Sequence, residues 1–152
     1  MVLIIKQIIE NKKQYINLLL LADEQESMID RYLSRGKMFV LFDNDVKTIC
    51  VVTDEGNKMC ELKNIATDPQ YQGQGYGKQM IEYICNYYSS NFNTILVGTG
   101  DSPLTIPFYK KCGFEESHRI KHFFIDNYDH PIIECGKQLI DMVYLKRDLC
   151  KL

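Results

Sequence analysis

No apolar run in this 152-residue sequence approaches the ~20 residues that a helix needs to cross a bilayer. The stretch from Val2 to Ile5 is cut short by Lys6, with no basic leader before it and no small-residue cleavage site behind it, so no signal peptide is expected. An excess of one charge is missing too. The 18 Lys and Arg against 20 Asp and Glu leave a net charge of −2, which offers no general attraction to nucleic acid or to an anionic membrane. Close cysteine pairs are also lacking. The six cysteines stand at 50, 60, 85, 112, 135 and 150, whereas a metal site usually needs C-x-x-C spacing and a secreted disulfide scaffold a higher density. Reduced thiols, mostly in the core of a cytoplasmic protein, are the expectation.

What is present is ordinary for a globular chain. At 45% hydrophobic and 25% charged, this length can bury a core without disulfide or metal staples. No repeat, low-complexity tract or linker divides it, so residues 1–152 read as one domain. Val2–Ile9 reads as a strand, and Asn11 can cap a helix through Tyr15, Ile16, Leu19 and Leu20. A second helix carries Met28, Ile29, Tyr32 and Leu33 and stops at Gly36. Met38–Phe42, Lys47–Thr53 and Met59–Thr67 read as strands joined by the turns Asp43-Asn44-Asp45 and Asp54-Glu55-Gly56-Asn57, an antiparallel meander. A helix from about Gly77 to Ser89 presents Met80, Ile81, Ile84, Cys85 and Tyr88, and Thr94–Gly98 follows as a strand in a parallel crossover. A brief helix ends at Gly113, and Phe114–Ile125 and Asp141–Leu149 complete the sheet. The fold class is α/β, a mixed sheet with helices on both faces.

The most informative stretch lies between the third meander strand and the long helix: Gln72-Gly73-Gln74-Gly75-Tyr76-Gly77-Lys78. Glycines at alternate positions let backbone amides turn inward together, and with the positive end of the helix dipole they form a cradle for phosphate oxygens. A tight strand-to-helix turn is the plainer alternative, but one or two glycines would serve for turning. A dinucleotide fingerprint needs G-x-G-x-x-G and an acidic residue about twenty positions on, and the region around Leu96-Val97 has none. A Walker A loop needs Ser or Thr after the lysine, and Gln79 follows Lys78.

Gln72-x-x-Gly75-x-Gly77, preceded by Glu61-Leu62-x-x-Ile65-Ala66-Thr67-x-Pro69, resembles the acyl-CoA-binding motif of the GNAT N-acetyltransferases. Downstream, Phe108-Tyr109-Lys110-Lys111-Cys112-Gly113-Phe114 is similar to the family's L-Y-x-K-x-G-F segment, and the element order matches along nearly the whole chain. The resemblance implies a GNAT-like fold: a mostly antiparallel, twisted sheet whose central parallel pair, Met59–Thr67 and Thr94–Gly98, splays apart. It implies that pantetheine pairs with the backbone of Ile65, Ala66 and Thr67. The pyrophosphate would sit on the amides of Gln72, Gly73, Gln74, Gly75, Tyr76, Gly77 and Lys78, with Ser102 and Phe108 also at the cofactor. Acetyl-CoA is the implied cosubstrate, and no metal is called for.

The resemblance also assigns roles. Direct transfer to an amine needs an unprotonated nucleophile, a stabilised oxyanion and a proton for the departing thiolate. Tyr109 occupies the family's proton-donor position, although an aromatic packed between helix and sheet is the plainer alternative. Glu61 is the candidate base, and strand alternation puts Glu61, Lys63, Ile65 and Thr67 on one face. An ion pair with Lys63 competes with that role, since a nearby cation makes a carboxylate a poorer base. A backbone amide near Ile65 or Ala66 is available for the oxyanion. Ser102 stands where the family often has Asn and can cap the next helix; Pro103 and Pro107 depart from a regular helix. Cys112 is the covalent rival, with no histidine placed to activate it.

The acceptor would meet the segment from Asp126 to Gly136. There Tyr128, Asp129 and His130 are candidate contacts, and Asp126, Asp129 and Glu134 would attract a cationic amine. The expected activity is transfer of an acetyl group from acetyl-CoA to a primary amine of a small molecule in a ternary complex. A protein-lysine or N-terminal acetyltransferase and a non-catalytic acyl-CoA-binding module stay open as alternatives, as does a homodimer. No nucleic acid or membrane partner is expected.

Overall fold

Four runs of β-branched and aliphatic residues pair in sequence order: β1 (Leu3–Ile8), β2 (Lys37–Asp43), β3 (Asp45–Gly56) and β4 (Met59–Thr67). The computed structural model describes residues 3–149, so Val2 and Cys150 lie outside the described residues. Asn44, at φ 71°, turns β2 into β3, a left-handed conformation that Asn tolerates better than most residues. In β2, Met38 and Val40 point to one layer and Phe39 and Leu41 to the other, so the strand is apolar on both faces and covered on both.

Helices supply the two covers. On one face lie α1 (Ile16–Ala22) and α2 (Glu26–Ile29), whose Leu19 and Ile29 bury with Tyr32, Val40, Ile49 and Ala66. On the other lies α3 (Tyr76–Tyr88), whose apolar stripe of Met80, Ile81, Ile84, Cys85 and Tyr88 packs on Cys50, Val52, Cys60 and Leu62. After α3 come β5 (Thr94–Gly100), α4 (Ile106–Lys111), β6 (Glu115–Ile120), α5 (Phe123–Asn127), β7 (Ile133–Glu134), β8 (Lys137–Gln138) and β9 (Met142–Asp148). The large sheet runs β1-β2-β3-β4-β5-β9-β6, with β4 and β5 parallel and every other neighbour antiparallel.

Several boundaries differ from the sequence reading for local reasons. Asn11 makes no side-chain cap; it sits at φ 51° and opens a 3-10 turn, Lys12–Tyr15, with its carbonyl accepting from Gln14 N–H. The second helix keeps α geometry only over Glu26–Ile29, then runs on as turns to Gly36, yet its stripe of Met28, Ile29, Tyr32 and Leu33 is buried as the spacing requires. Phe114–Ile125 is not one strand. β6 stops at Ile120, His122 adopts φ 60°, and α5 then buries Phe124 against Ile132 and Leu139. The hairpin β7–β8 was not expected; its turn is Cys135-Gly136, both at positive φ, as a type I′ turn requires.

Candidate active site

The central parallel pair holds together for only four residues. Met59, Cys60, Glu61 and Leu62 pair with Thr94, Ile95, Leu96 and Val97, and beyond Leu62 the two strands part. β5 stays with β9 on its far side, where Gly98, Thr99 and Gly100 pair with Tyr144, Val143 and Met142. β4 stays with β3, but through a bulge: Val52 faces Leu62 and Val51 faces Asn64, leaving Lys63 as the extra residue. A bulge bends its strand, and this one falls where the pairing with β5 ends.

The bulge overturns the alternation expected for β4. Glu61 lies opposite Thr53, on the α1 and α2 side with Asn64 and Ala66, whereas Ile65 and Thr67 lie opposite Cys50 and Thr48, on the α3 side. One inserted residue changes the phase of a period-2 pattern, so Glu61 does not share a face with Ile65 and Thr67.

Between the parted strands is a cavity of about 380 Å³. One wall is Lys63 to Thr67; the other is Val97 to Gly100, with Tyr109 from α4. Gln72 borders it, and its side-chain amide donates to Thr67 O at 3.3 Å. Backbone groups of β4 that have lost their strand partner therefore stand along the gap, an edge ready to pair with an extended ligand arm.

At the end of β4 the chain turns over Pro69–Tyr71, with Asp68 Oδ1 accepting from Gln70 N–H at 3.0 Å. Gly73 and Gly75 follow at φ 80° and 87°, and a Cβ at either would meet nothing within 4 Å. Backbone conformation, not crowding, is what calls for glycine there. Within α3 the Gln79 N–H bonds Gly75 O at 3.0 Å; the amides of Tyr76, Gly77 and Lys78 precede it in the first turn, where helices leave donors without intrahelical partners. Gly77 is different: a Cβ there would stand 3.4 Å from the Phe108 ring and 3.7 Å from Thr67 Oγ1. Phe108 packs beside the start of α3, holding α4 against the loop, and does not line the cavity.

Tyr109 does line the cavity. It is 7% exposed, edge-on to Phe108 and Phe114, and burial pushes its phenol well above the ordinary range, so the group stays protonated at neutral pH. Pro107 sits in the first turn of α4, where its missing N–H costs nothing, and the helix runs on to Lys111. Ser102 is buried, its Oγ accepting from Leu104 N–H at 3.1 Å ahead of α4, and it is not on the cavity wall. Cys112 is buried, and burial pushes its thiol up, which disfavours a thiolate.

Glu61 is 6% exposed and off the cavity wall. Its Oε2 accepts from the Tyr144 hydroxyl at 2.9 Å and lies 3.1 Å from Lys63 Nζ, so both the ion pair and a further donor engage it. Of the acceptor-side candidates, Tyr128 and Glu134 line the cavity. Asp129 and His130 do not: they face each other at 2.6 Å in an exposed position, with Asp129 N–H donating to Gln25 Oε1.

Residues that sequence reading missed complete that end. Asp23 and Glu24, between α1 and α2, border the cavity, as does Asn64. Asp23 carries nothing in its local sequence that marks it out among the acidic residues around it; only the fold brings it opposite Tyr128.

The comparisons agree with this geometry. Residues 34–116 match the family model of the acetyltransferase (GNAT) domain. A curated relative, the uncharacterized N-acetyltransferase YvbK of Bacillus subtilis (strain 168), is 34% identical over 143 residues, 92% of each chain. A GNAT family acetyltransferase from Elizabethkingia anophelis, solved with acetyl-CoA bound, superposes with a TM-score of 0.90 at 30% identity, covering 96% of this chain and 97% of that one. A Bacillus subtilis acetyltransferase solved in complex with CoA superposes with a TM-score of 0.89 at 32% identity, covering 97% and 99%. With a splayed central pair, a glycine loop opening a helix and these relatives over nearly its whole length, the chain belongs to the GNAT acetyltransferase family.

Proposed function

We propose that this chain, as a single acyltransferase domain, moves an acetyl group from acetyl-CoA to a primary amine of a small molecule by direct attack in a ternary complex. The observation that carries the reading is the gap between β4 and β5, which leaves the backbone of Ile65 to Thr67 without a β5 partner and reaches Gln72, where the glycine loop leading into α3 begins. Strand edge suits the amide-bearing pantetheine arm, and the amides of Gly75 to Lys78, with the helix dipole, suit the pyrophosphate. Bound there, acetyl-CoA supplies an acyl thioester.

The residues divide the remaining work. Tyr109, protonated and on the cavity wall, is placed to give its proton to the departing sulfur. A backbone amide near the bulge serves the acetyl oxygen. Glu61, engaged by Lys63 and Tyr144 away from the cavity, fits the ion-pair role better than that of base. Ser102 and Phe108 hold α4 and the glycine loop, and through them the cofactor end. A wall made by Asp23, Tyr128, Ile132 and Leu139 across a cavity of this size favours a small acceptor over a peptide, which would need an extended groove. Thiol release with acetyl-CoA and a mixed panel of small amines tests the proposal. Saturable acetyl-CoA binding with no transfer to any amine would favour a non-catalytic binding module instead.

A further inference from the structure

The acceptor end of the cavity is built around Asp23. Both of its carboxylate oxygens are fixed by phenols from separate elements: Tyr32 donates to Oδ2 at 3.0 Å and Tyr128 donates to Oδ1 at 2.6 Å. The Tyr32 hydroxyl in turn accepts from Asn64 Nδ2 at 3.1 Å, and the same amide donates to Leu19 O at 3.0 Å. A chain of hydrogen bonds thus runs from α1 through the bulged part of β4 to Asp23. Asn64 is buried and its Oδ1 has no hydrogen-bond partner.

The balance of donors and acceptors around it identifies the ligand chemistry. Both phenol protons are committed to Asp23, so this end presents the carboxylates of Asp23, Glu24 and Glu134 and few free donors. Lys63 is the cation on the wall, and it is held by Glu61. A carboxylate with two fixed oxygens keeps lone pairs to spare, and what complements such a wall is a positively charged group rich in N–H donors.

Resting on the proposed acetyl transfer, the geometry points to Asp23 as the acceptor-side carboxylate: it pairs with the ammonium of the incoming amine and takes its proton, while Tyr32 and Tyr128 position it. One N–H bond of the ammonium breaks and one O–H bond forms on Asp23. The electron pair left on nitrogen then forms the C–N bond as the C–S bond breaks. The thiolate takes the Tyr109 proton, and the surplus proton on the amide nitrogen restores the phenol through solvent. Asp23 returns its proton to water, so each turnover releases one proton. Burial holds the Asp23 carboxyl above its ordinary range against the two phenols, the Gln25 N–H and the nearby Arg31 guanidinium, all of which favour the charged form. A carboxylate raised in this way is a stronger base toward the ammonium proton than an ordinary aspartate.

Two variants test this, read by initial rates against an alkyl monoamine, an alkyl diamine and a dipeptide amine, with acetyl-CoA binding followed by calorimetry. Asp23→Asn is expected to lower kcat/KM for the amine about 100-fold or more, to abolish the acidic limb of its pH profile, and to leave the acetyl-CoA Kd within about twofold. Tyr128→Phe removes a donor that stabilises the carboxylate, so the acidic limb moves to higher pH, which a purely structural role would not produce. A parent enzyme active on an amine whose Asp23→Asn form keeps both rate and limb overturns the assignment of Asp23 alone. A parent that binds acetyl-CoA and acetylates none of the amines overturns the transfer reading, and this one with it.

Discussion

The Tyr144 hydroxyl donates to Glu61 Oε2 at 2.9 Å across two strands that are not neighbours, β9 and β4, with β5 between them. His118 stacks flat on the same tyrosine at 4.8 Å, and Lys63 Nζ shares that carboxylate oxygen at 3.1 Å. The cluster ties the paired part of β4 to the far half of the sheet just before β4 and β5 separate. Glu61→Gln, which keeps an acceptor for Tyr144, is expected to retain the parent's acidic limb in a pH–rate profile. Glu61→Ala strands the buried hydroxyl and is expected to cost about 1–3 kcal/mol in a urea melt.

Tyr109→Phe keeps the ring that packs against Phe108 and Phe114 and removes only the hydroxyl. The expected result is an acetyl-CoA Kd within about twofold of the parent and a kcat reduced ~10²-fold or more. Calorimetry and steady-state rates on one preparation separate the two effects.

Gly75 caps α3 at φ 87° with open space where a Cβ would go. Gly75→Val meets no clash yet forces a β-branched residue into left-handed backbone, at about 1–2 kcal/mol. If the loop relaxes to avoid that strain, the first-turn amides turn away from their common point. Weaker acetyl-CoA binding by calorimetry with a small fall in Tm is the expected signature.

Asp23 also makes a prediction about stability. Its carboxyl is raised in the folded protein, chiefly by burial, so the stabilisation it contributes is present at low pH and is lost as pH rises through the folded-state value. Asp23→Asn removes that dependence. The Tm of the parent minus that of the variant is therefore expected to be more positive at about pH 5 than at about pH 8, measured by thermal melts in matched buffers.

Much of the architecture was legible from residue order alone. The stripe Met80, Ile81, Ile84, Cys85 and Tyr88 located α3, and Asn44 and Asn57 marked the meander turns, although β3 runs on through Asp54 to Gly56, because period and turn chemistry are local properties. The glycine loop was legible for the same reason: positive φ at Gly73 and Gly75 is written in the residue type. What stayed hidden depends on distant partners. Lys63 carries no mark of a bulge, since the extra residue is defined only against Val51 and Val52 on another strand. The helical turn Phe123–Asn127 looks like strand until Phe124 finds Ile132 and Leu139. Asp23 and Tyr128 meet across 105 positions of chain, and no spacing rule reaches that far.

The extra residue at Lys63 has one more effect. Every two-residue repeat written into β4 upstream of it is inverted downstream, so the strand carries two separate codes, one for the joined segment and one for the open one. Drawing Lys63 into regular pairing with Val51 would swap the environments of Asn64 and Ile65, sending an amide toward the oily layer beneath α3 and an isoleucine toward the tyrosine hydroxyls. Width of the gap and polarity of the acceptor end are therefore inherited together, and neither can be redesigned by moving that strand without disturbing the other.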